Sequence, residues 1–364
     1  MQVWEVRLFN EMKKFIFTSI LVILLLPFNF AYAETDDPDL KREREIGRKA
    51  MAQIEEQWPL TSDPAILSKL EMILNRLEPY MERRIDWELR LVKTENLNAF
   101  CLPGGFIFFT TGIIDALKTD SELAAVMAHE MIHADRKHSL RMAAESNKVT
   151  IASLAVMLLS GGSMAPIVLA QLAQVAITSS YTMELESEAD RLGLEALIKS
   201  GYSPSGMITL FENFMSEEYR QPIHEYGIYM NHPETPKRLA NAVKILHDKK
   251  IPIERKYSLG LLRTDVKENE EAIRITVDGL EVLRGEKRPG IKDAVLKTRE
   301  ALDNYLQLEL APYELHLVNG DLYIGNRFIS GNYNGLTAPK EVRGNLLKAI
   351  NAARAKYPTS KFFK

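Results

Sequence analysis

Apolar positions along this chain recur mainly with the period of a helix. Within residues 40–56, Ile46, Ala50 and Ile54 repeat at every fourth position, which predicts an amphipathic helix. Further helices are predicted over residues 66–78, 183–200, 205–218, 236–248, 290–308 and 339–356, and strands over residues 87–92, 106–111 and, around a hairpin turn at Asn319-Gly320, 314–326. The pattern therefore predicts a mostly helical α+β fold with a small β-sheet.

A second group of apolar segments lies in the middle of the chain. Thr119 and Glu122 form a capping box, which predicts the start of a helix that continues towards Ala143. Because its first part is apolar on nearly all sides, we expect this helix to be buried. Residues 149–159 and 166–177 are two further apolar segments, each too short to span a bilayer. They predict either a pair of core helices or a hairpin that contacts a membrane or covers a site.

The N-terminal residues have the order of a secretory signal peptide. Two lysines precede the apolar run of residues 15–26, and a small-residue Ala-Tyr-Ala pattern ends at Ala33. A membrane anchor is disfavoured because a spanning helix needs about 20 apolar residues. We therefore expect residues 1–33 to be a signal peptide, with Met12 as an alternative start, and the remaining chain to be periplasmic or extracellular.

Composition narrows the class of protein. The 364 residues include 46 Lys and Arg against 49 Asp and Glu, a net charge of −3, without a basic cluster that would favour nucleic acid. The single cysteine, Cys101, excludes an intramolecular disulfide. The length suggests two domains, or one domain with an accessory segment. We expect a main domain over residues 34–255 and a small α+β accessory domain over residues 256–364.

The helix that begins after Thr119 contains a metal-binding pattern. His129-Glu130-Met131-Ile132-His133 is an H-E-x-x-H motif. Residues i and i+4 lie on one face of a helix, so both imidazoles can bind one metal ion. Glu130 is offset by one residue, where it can accept a proton from a water molecule that the metal activates. A buried helix does not otherwise carry three such polar groups together, because each costs free energy unless it is paired.

A catalytic zinc site usually has a third protein ligand. His138 would lie about 140° around a continuous helix from the second histidine of the motif, so we interpret it as a supporting or surface residue rather than a ligand. Glu186 and Asp190 lie at i and i+4 of a later predicted helix, so that one carboxylate can bind the metal and the other a histidine N–H. From spacing alone, Glu184 or Glu188 could replace Glu186, and a solvated acidic face is the alternative to a site.

Four motifs in order resemble one family of metallopeptidases. They are residues 98–105 (NAFCLPGG), 129–133 (HEMIH), 186–190 (ESEAD) and 231–238 (NHPETPKR). The chain resembles the gluzincin family that includes the CAAX prenyl endopeptidase, HtpX, a mitochondrial inner-membrane quality-control protease and the periplasmic BepA-type proteases. The resemblance covers about residues 40–248, and the predicted export signal favours the periplasmic branch.

The resemblance implies a zincin-like protease domain with one zinc ion per chain. The ligands would be His129, His133 and Glu186, with Glu130 as the general base and Asp190 orienting a ligand. His232 would either occupy the open zinc position and hold the enzyme latent, or stabilise the oxyanion of the transition state. Arg238 would support the oxyanion or the fold.

The strand after Gly104-Gly105 is a candidate for substrate binding. We expect residues 104–111 to form an edge strand beside the cleft, to which an extended peptide adds by main-chain hydrogen bonds. The candidate substrate-binding residues are Gly104, Gly105, Phe106, Ile107 and Phe108. Residues 256–364 lack the 34-residue tetratricopeptide period that follows the protease domain of BepA-type relatives.

The sequence thus predicts an exported zinc endopeptidase. The resemblance implies unfolded or misfolded envelope proteins as substrates, in protein quality control. The alternative is a latent protein of the same fold that holds or assembles envelope proteins. We expect no nucleic-acid partner, and the apolar residues 149–177 are a candidate for peripheral membrane contact.

Overall fold

The described residues of this computed structural model are 37–117, 119–178, 181–220 and 235–357. The described residues from Pro38 onward belong to one compact unit. The signal peptide predicted over residues 1–33 lies outside the described residues.

Helices dominate the described chain, as the periodicity of apolar positions predicts. The helices before residue 250 are α1 (Pro38–Gln57), α2 (Pro64–Leu77), α3 (Thr111–Ala116), α4 (Asp120–Asp135), α5 (His138–Ser146), α6 (Ile151–Ser160), α7 (Ala165–Thr178), α8 (Met183–Ser200), α9 (Ser205–Arg220) and α10 (Thr235–Asp248). The later helices are α11 (Arg255–Leu259), α12 (Ile291–Tyr305) and α13 (Pro339–Lys356). The chain therefore has the mixed α+β architecture that the sequence predicts.

A four-stranded sheet lies at the centre of the N-terminal part. Its strands are β1 (Leu60–Thr61), β2 (Glu88–Val92), β3 (Ala99–Leu102) and β4 (Phe106–Thr110), in the order β1-β2-β4-β3. Phe106 and Phe108 pack with Ala50 of α1 and Ala173 of α7, whereas Ile107 and Phe109 join the core formed by α2, α4, α8 and α9. Helices therefore cover both faces of this sheet, which explains why β4 is apolar at every position but its last.

The prediction that the strand after Gly104-Gly105 lies at the edge of the sheet is wrong. β4 pairs in parallel with β2 on one side and antiparallel with β3 on the other. Both of its backbone edges are therefore engaged, and a substrate has no main-chain groups to pair with there. The five proposed substrate-binding residues are all buried: Gly104, Gly105, Phe106, Ile107 and Phe108.

The two glycines before β4 have a structural role instead. Gly104 and Gly105 have φ angles of +78° and +92°, which favour glycine. A Cβ atom on Gly104 would lie 2.4 Å from the Cα of Arg44. The turn between β3 and β4 therefore depends on glycine for both its conformation and its packing against α1.

The helix that begins after Thr119 is shorter than predicted. The Thr119 hydroxyl accepts the N–H of Glu122, as the capping box predicts, but α4 ends at Asp135. Lys137 then adopts a left-handed conformation, φ +58° and ψ +34°, and α5 begins at His138. The chain therefore changes direction between the metal-binding motif and His138, where a continuous helix to Ala143 was expected.

Helices α6 and α7 form an uncharged hairpin. Leu154, Leu158 and Leu172 are buried in a small core with Ile46 of α1, whereas Ile167 and other outward side chains are exposed. In the described part of the chain no single helix is long and apolar enough to cross a membrane. Helices α5 and α6, which meet at an angle of 86°, are long and apolar enough only when they are taken together.

The C-terminal part has two further sheets and a hydrophobic core of its own. The first sheet contains β5 (Thr264–Glu268), β6 (Ala272–Val277) and β7 (Leu280–Glu286), and the second contains β8 (Leu315–Val318), β9 (Asp321–Ile324) and β10 (Arg327–Ser330). Ile275, Val295 and Leu346 belong to the core that joins them. The hairpin turn predicted at Asn319-Gly320 connects β8 and β9, with both residues at positive φ.

Candidate metal centre

Helix α4 presents both histidines of the motif on the same face. The Nε2 atoms of His129 and His133 lie 2.9 Å apart, and both side chains are buried. Four residues on a helix correspond to about 400° of rotation, which brings the second imidazole above the first. The spacing in the sequence thus creates a pair of nitrogen ligands that point at one position.

The third candidate ligand comes from α8. The Oε atoms of Glu186 lie 3.5 Å from Nε2 of His129 and 3.5 Å from Nε2 of His133. The hydroxyl of Thr182 caps α8 by accepting the N–H of Leu185, which fixes the start of this helix. Gly193 of α8 faces α4, and a Cβ atom there would lie 3.4 Å from the backbone nitrogen of His129, an ordinary van der Waals distance.

These three side chains have the geometry of a metal site. One ligand atom of each of His129, His133 and Glu186 lies within 4.8 Å of the others. Ligands of tetrahedral zinc at about 2.0–2.1 Å from the metal are roughly 3.3 Å apart, which the observed 2.9–3.5 Å brackets. The alternatives do not reach this position: Glu184 is exposed, and Glu188 faces His138 instead. Two imidazoles and a carboxylate are a donor set suited to zinc.

Asp190 and Arg238 support the ligands. Asp190 Oδ1 lies 3.0 Å from Nδ1 of His129, so it can accept that N–H while Nε2 points to the metal position. Arg238, from α10, donates to both carboxylate oxygens of Asp190 at 2.6 and 2.8 Å and lies 2.9 Å from Glu186. The structure therefore places Arg238 against the carboxylates of the site.

Burial and neighbouring charged groups shift the pKa values of the side chains in this cluster. Burial alone would lower the pKa of His129, but Glu186 and Asp190 outweigh it and raise that pKa to about 9. Burial and the Arg238 guanidinium act in opposite directions on Asp190, and the guanidinium keeps the pKa of that carboxyl below its usual value. The metal-free site thus pairs a cationic His129 with carboxylates.

Glu130 lies beside the metal position, as the motif predicts. Its side chain is buried, and its carboxylate accepts the backbone N–H of Cys101 in β3. Burial raises the pKa of Glu130 to about 8, although His129 and Arg238 oppose the shift. A carboxyl group with a pKa near neutrality is suited to exchange a proton with substrate and water.

Two residues, His138 and Tyr181, contact the ring of His133, and the sequence predicts a supporting role only for the first. His138 is fully buried with its Nδ1 2.9 Å from Nδ1 of His133, and burial lowers its pKa to about 4. Tyr181, which no motif singles out, stacks on the His133 ring with 3.9 Å between centroids. The left-handed conformation of Lys137 turns the chain so that His138 contacts His133. Because this residue is neither Gly nor Pro, the sequence does not predict the turn.

An apolar pocket adjoins the two residues His129 and Glu130. Its other walls come mainly from α4 and from the face of α9 that contains Met207, Phe211 and Phe214. The pocket is small, about 20 Å³, and its lining next to His129 and Glu130 is apolar. His232, the other residue expected in the active site, lies outside the described residues.

Comparison with known proteins identifies the family. The chain is 25% identical over 257 residues to the beta-barrel assembly-enhancing protease of Escherichia coli (strain K12), which covers 65% of this chain and 53% of the relative. It is 28% identical over 214 residues to the protein of the same name in Yersinia pestis (56% of this chain, 43% of the relative). The mitochondrial metalloendopeptidase OMA1 of Schizosaccharomyces pombe is 31% identical over 157 residues (43% and 45%).

These relatives and the geometry of the site support a metallopeptidase. The chain spans about half the length of the curated relatives that it matches. The model of peptidase family M48 matches residues 65–246, which contain all three candidate ligands. Since that match covers half of the chain, the protein belongs to peptidase family M48.

Proposed function

We propose that this chain is an exported zinc endopeptidase that hydrolyses peptide bonds in extended or misfolded proteins of the cell envelope. The observation that carries this proposal is the convergence of His129, His133 and Glu186 on one buried position with Glu130 beside it. A zinc ion held by these three ligands would supply a Lewis acid that activates water and polarises the peptide carbonyl.

The residues of the chain divide the remaining tasks. Glu130 accepts the proton of the attacking water and passes it to the nitrogen of the leaving amine. Asp190 and Arg238 hold His129 and Glu186 in place, so that the ligands keep their orientation through the reaction.

The proposed substrates follow from the names of the relatives. Two of the relatives are named beta-barrel assembly-enhancing proteases, which supports an envelope substrate and, with the predicted signal peptide, a periplasmic location.

Cleavage of an unfolded model protein by the purified full chain tests the proposal. Changing Glu130→Gln should lower the rate by at least about 100-fold, because general-base catalysis contributes that much or more. Glu145→Gln, an exposed residue on α5, is the matched control and should cleave like the wild type. Equal cleavage by Glu130→Gln and wild type would refute the proposed role of Glu130.

A holding function is the alternative, and one observation favours it. The residues His129, Glu130, His133 and Glu186 are at most 6% exposed, so the site is closed in this conformation. The holding function predicts that the zinc-loaded wild type prevents aggregation of unfolded proteins without cleaving them, and that Glu130→Gln prevents aggregation equally well. These results together would support the holding function over the enzyme.

The α6–α7 hairpin is proposed to contact a membrane surface. Val156, Met164 and Ile167 are 51–66% exposed, and no charged residue lies between Lys148 and Glu184. Apolar side chains at a helical surface can insert at the lipid interface. Vesicle sedimentation with Ile167→Ser tests this: loss of binding relative to the wild type supports the contact, and a wild type that fails to sediment with vesicles overturns it.

A further inference from the structure

The turn between α4 and α5 returns the chain to the metal centre. Lys137 adopts the left-handed conformation at this turn, and His138, the next residue, is fully buried. Its ring meets that of His133 edge-to-face, at 81° and with 4.9 Å between centroids. The contact therefore depends on the break in the helix, since a continuous helix would direct His138 about 140° away from His133.

The hydrogen bond between these two rings has a definite direction. Their Nδ1 atoms lie 2.9 Å apart, so one nitrogen must donate and the other accept. His133 directs its Nε2 to the metal position, where it needs a lone pair, and its neutral ring then carries hydrogen on Nδ1. His133 is therefore the donor, and Nδ1 of His138 is the acceptor.

The same argument shows that Nε2 of His138 carries the hydrogen of this ring. With a lone pair on Nδ1, the neutral ring of His138 carries hydrogen on Nε2, which lies 3.5 Å from Oε2 of Glu188. This distance is long for a hydrogen bond and leaves a favourable electrostatic contact. Arg141 and Arg136 lie 3.4 and 3.9 Å from the Glu188 carboxylate and hold it in place.

The two ligand histidines are thus supported in different ways. Nδ1 of His129 faces the carboxylate of Asp190 at 3.0 Å, which is the usual partner of a metal-bound imidazole. In the place of that carboxylate His133 has a neutral imidazole, with Glu188 one step further away. Partners of this kind orient the ligand ring and tune its basicity, so their loss weakens metal binding.

We infer that His138 is a positioning residue that orients the metal ligand His133, and that Glu188 fixes the orientation of His138 in turn. The inference rests on the proposed zinc site. It adds supporting residues from α5 and α8 to the site, beyond the H-E-x-x-H motif, the ligand Glu186 and the supporting residue Asp190.

Zinc affinity of the full chain tests this inference, measured by competition with a chromophoric chelator. His138→Leu removes the acceptor and should weaken zinc binding by about 10–100-fold. His138→Asn has nearly the shape of leucine but places a carbonyl oxygen at the position of Nδ1, so its affinity should stay within about threefold of wild type. The absorption spectrum of bound Co²⁺ should change in His138→Leu and be retained in His138→Asn.

Two outcomes would overturn the inference. A His138→Leu variant that binds zinc as tightly as wild type shows that the contact does not matter. Equal losses in His138→Asn and His138→Leu show that the imidazole is needed only for packing.

A second pair of variants keeps the test valid if His138→Leu does not fold. Glu188→Gln should weaken zinc binding, whereas Glu184→Gln, an exposed residue on the same helix, should not; equal affinities of these two variants would count against the role of Glu188. A wild-type chain that binds no zinc would refute the proposed function itself, whereas a zinc-loaded wild type without cleavage leaves this affinity test unchanged.

Discussion

At the scale of single residues, Arg238 contacts two carboxylates of the site: Glu186, a candidate metal ligand, and Asp190, which faces the ligand His129. It binds Asp190 through two nitrogens and lies 2.9 Å from Glu186, and it also lies over the ring of Phe211. A planar guanidinium can make such contacts at once, whereas the ammonium of lysine acts as a single point charge. Arg238 therefore acts on the chemistry through the residues that it positions.

The charge of His129 predicts a pH dependence of metal binding. Glu186 and Asp190 raise its pKa to about 9 against the effect of burial, so the metal-free site holds a proton at pH 7. Zinc binds only the unprotonated nitrogen, so binding should release this proton, and zinc affinity should fall about tenfold for each pH unit below about 9. Calorimetry in buffers of different ionisation enthalpy measures the release; zinc binding at pH 7 without proton uptake by the buffer would contradict the prediction.

At the scale of elements, close contacts between helices and the sheet fix the position of the site. Gly47 in α1 lies against the turn between β3 and β4, where a Cβ atom would be 2.0 Å from the carbonyl oxygen of Pro103. β3 in turn donates the N–H of Cys101 to Glu130. Helix α1 therefore packs against the turn that follows β3, and β3 contacts the proposed general base Glu130.

Alanine substitutions at two helical glycines should change stability in opposite directions. Gly47→Ala forces α1 away from Pro103 and should lower the free energy of unfolding by about 1–3 kcal/mol, as overpacking does. Gly344→Ala in α13 meets no atom within 4 Å and should raise it by about 0.5–1 kcal/mol through helix propensity. Denaturant unfolding measures both, and a neutral Gly47→Ala would contradict the described packing.

Elements with strong periodicity or turn chemistry could be predicted from the sequence, and short or irregular ones could not. The helix boundaries around Ile46 and the hairpin at Asn319-Gly320 are confirmed because local pattern determines them. Strand β3 has four residues and no alternation, and its partner choice depends on packing against α4 and α7, so the edge position of β4 was predicted wrongly. Strands β5 to β7 were likewise not predicted.

The sequence predicts the residues of the candidate site more completely than the strand order of the sheet. Helical spacing predicts the pair His129 and His133, whereas the resemblance to the metallopeptidases selects Glu186 over Glu184 and Glu188. The structure brings these three residues together. The contact of His138 with His133 depends on a left-handed residue without a glycine, which local sequence does not reveal.

At the scale of the whole molecule, the C-terminal part is tied to the helix that lines the pocket. Glu212 of α9 is buried and accepts hydrogen bonds from Arg255 and from the hydroxyl of Tyr357. Met207 and Phe211, on the same helix, line the pocket beside His129. Residues outside the family match thus brace a wall of the candidate active site, and the division into domains at residue 255 remains a prediction.

Breaking this contact should destabilise the protein. Arg255→Met leaves the Glu212 carboxylate buried without its guanidinium, which typically costs about 3–5 kcal/mol, and the double change with Glu212→Leu should recover much of the loss. Lys244→Met breaks the exposed pair with Asp248 and should have no resolvable effect. Chemical denaturation measures all three; equal stability of Arg255→Met and wild type would show that the network does not join the two parts.

The central claim is that a single zinc ion at His129, His133 and Glu186 makes this chain a peptidase. The most direct measurement removes all metal from the full chain and returns zinc in steps while cleavage of an unfolded protein is followed. We expect no cleavage by the metal-free chain and full activity at about one zinc per chain, the stoichiometry of a site with three protein ligands. Cleavage by the metal-free chain at the rate of the zinc-loaded chain would contradict the claim.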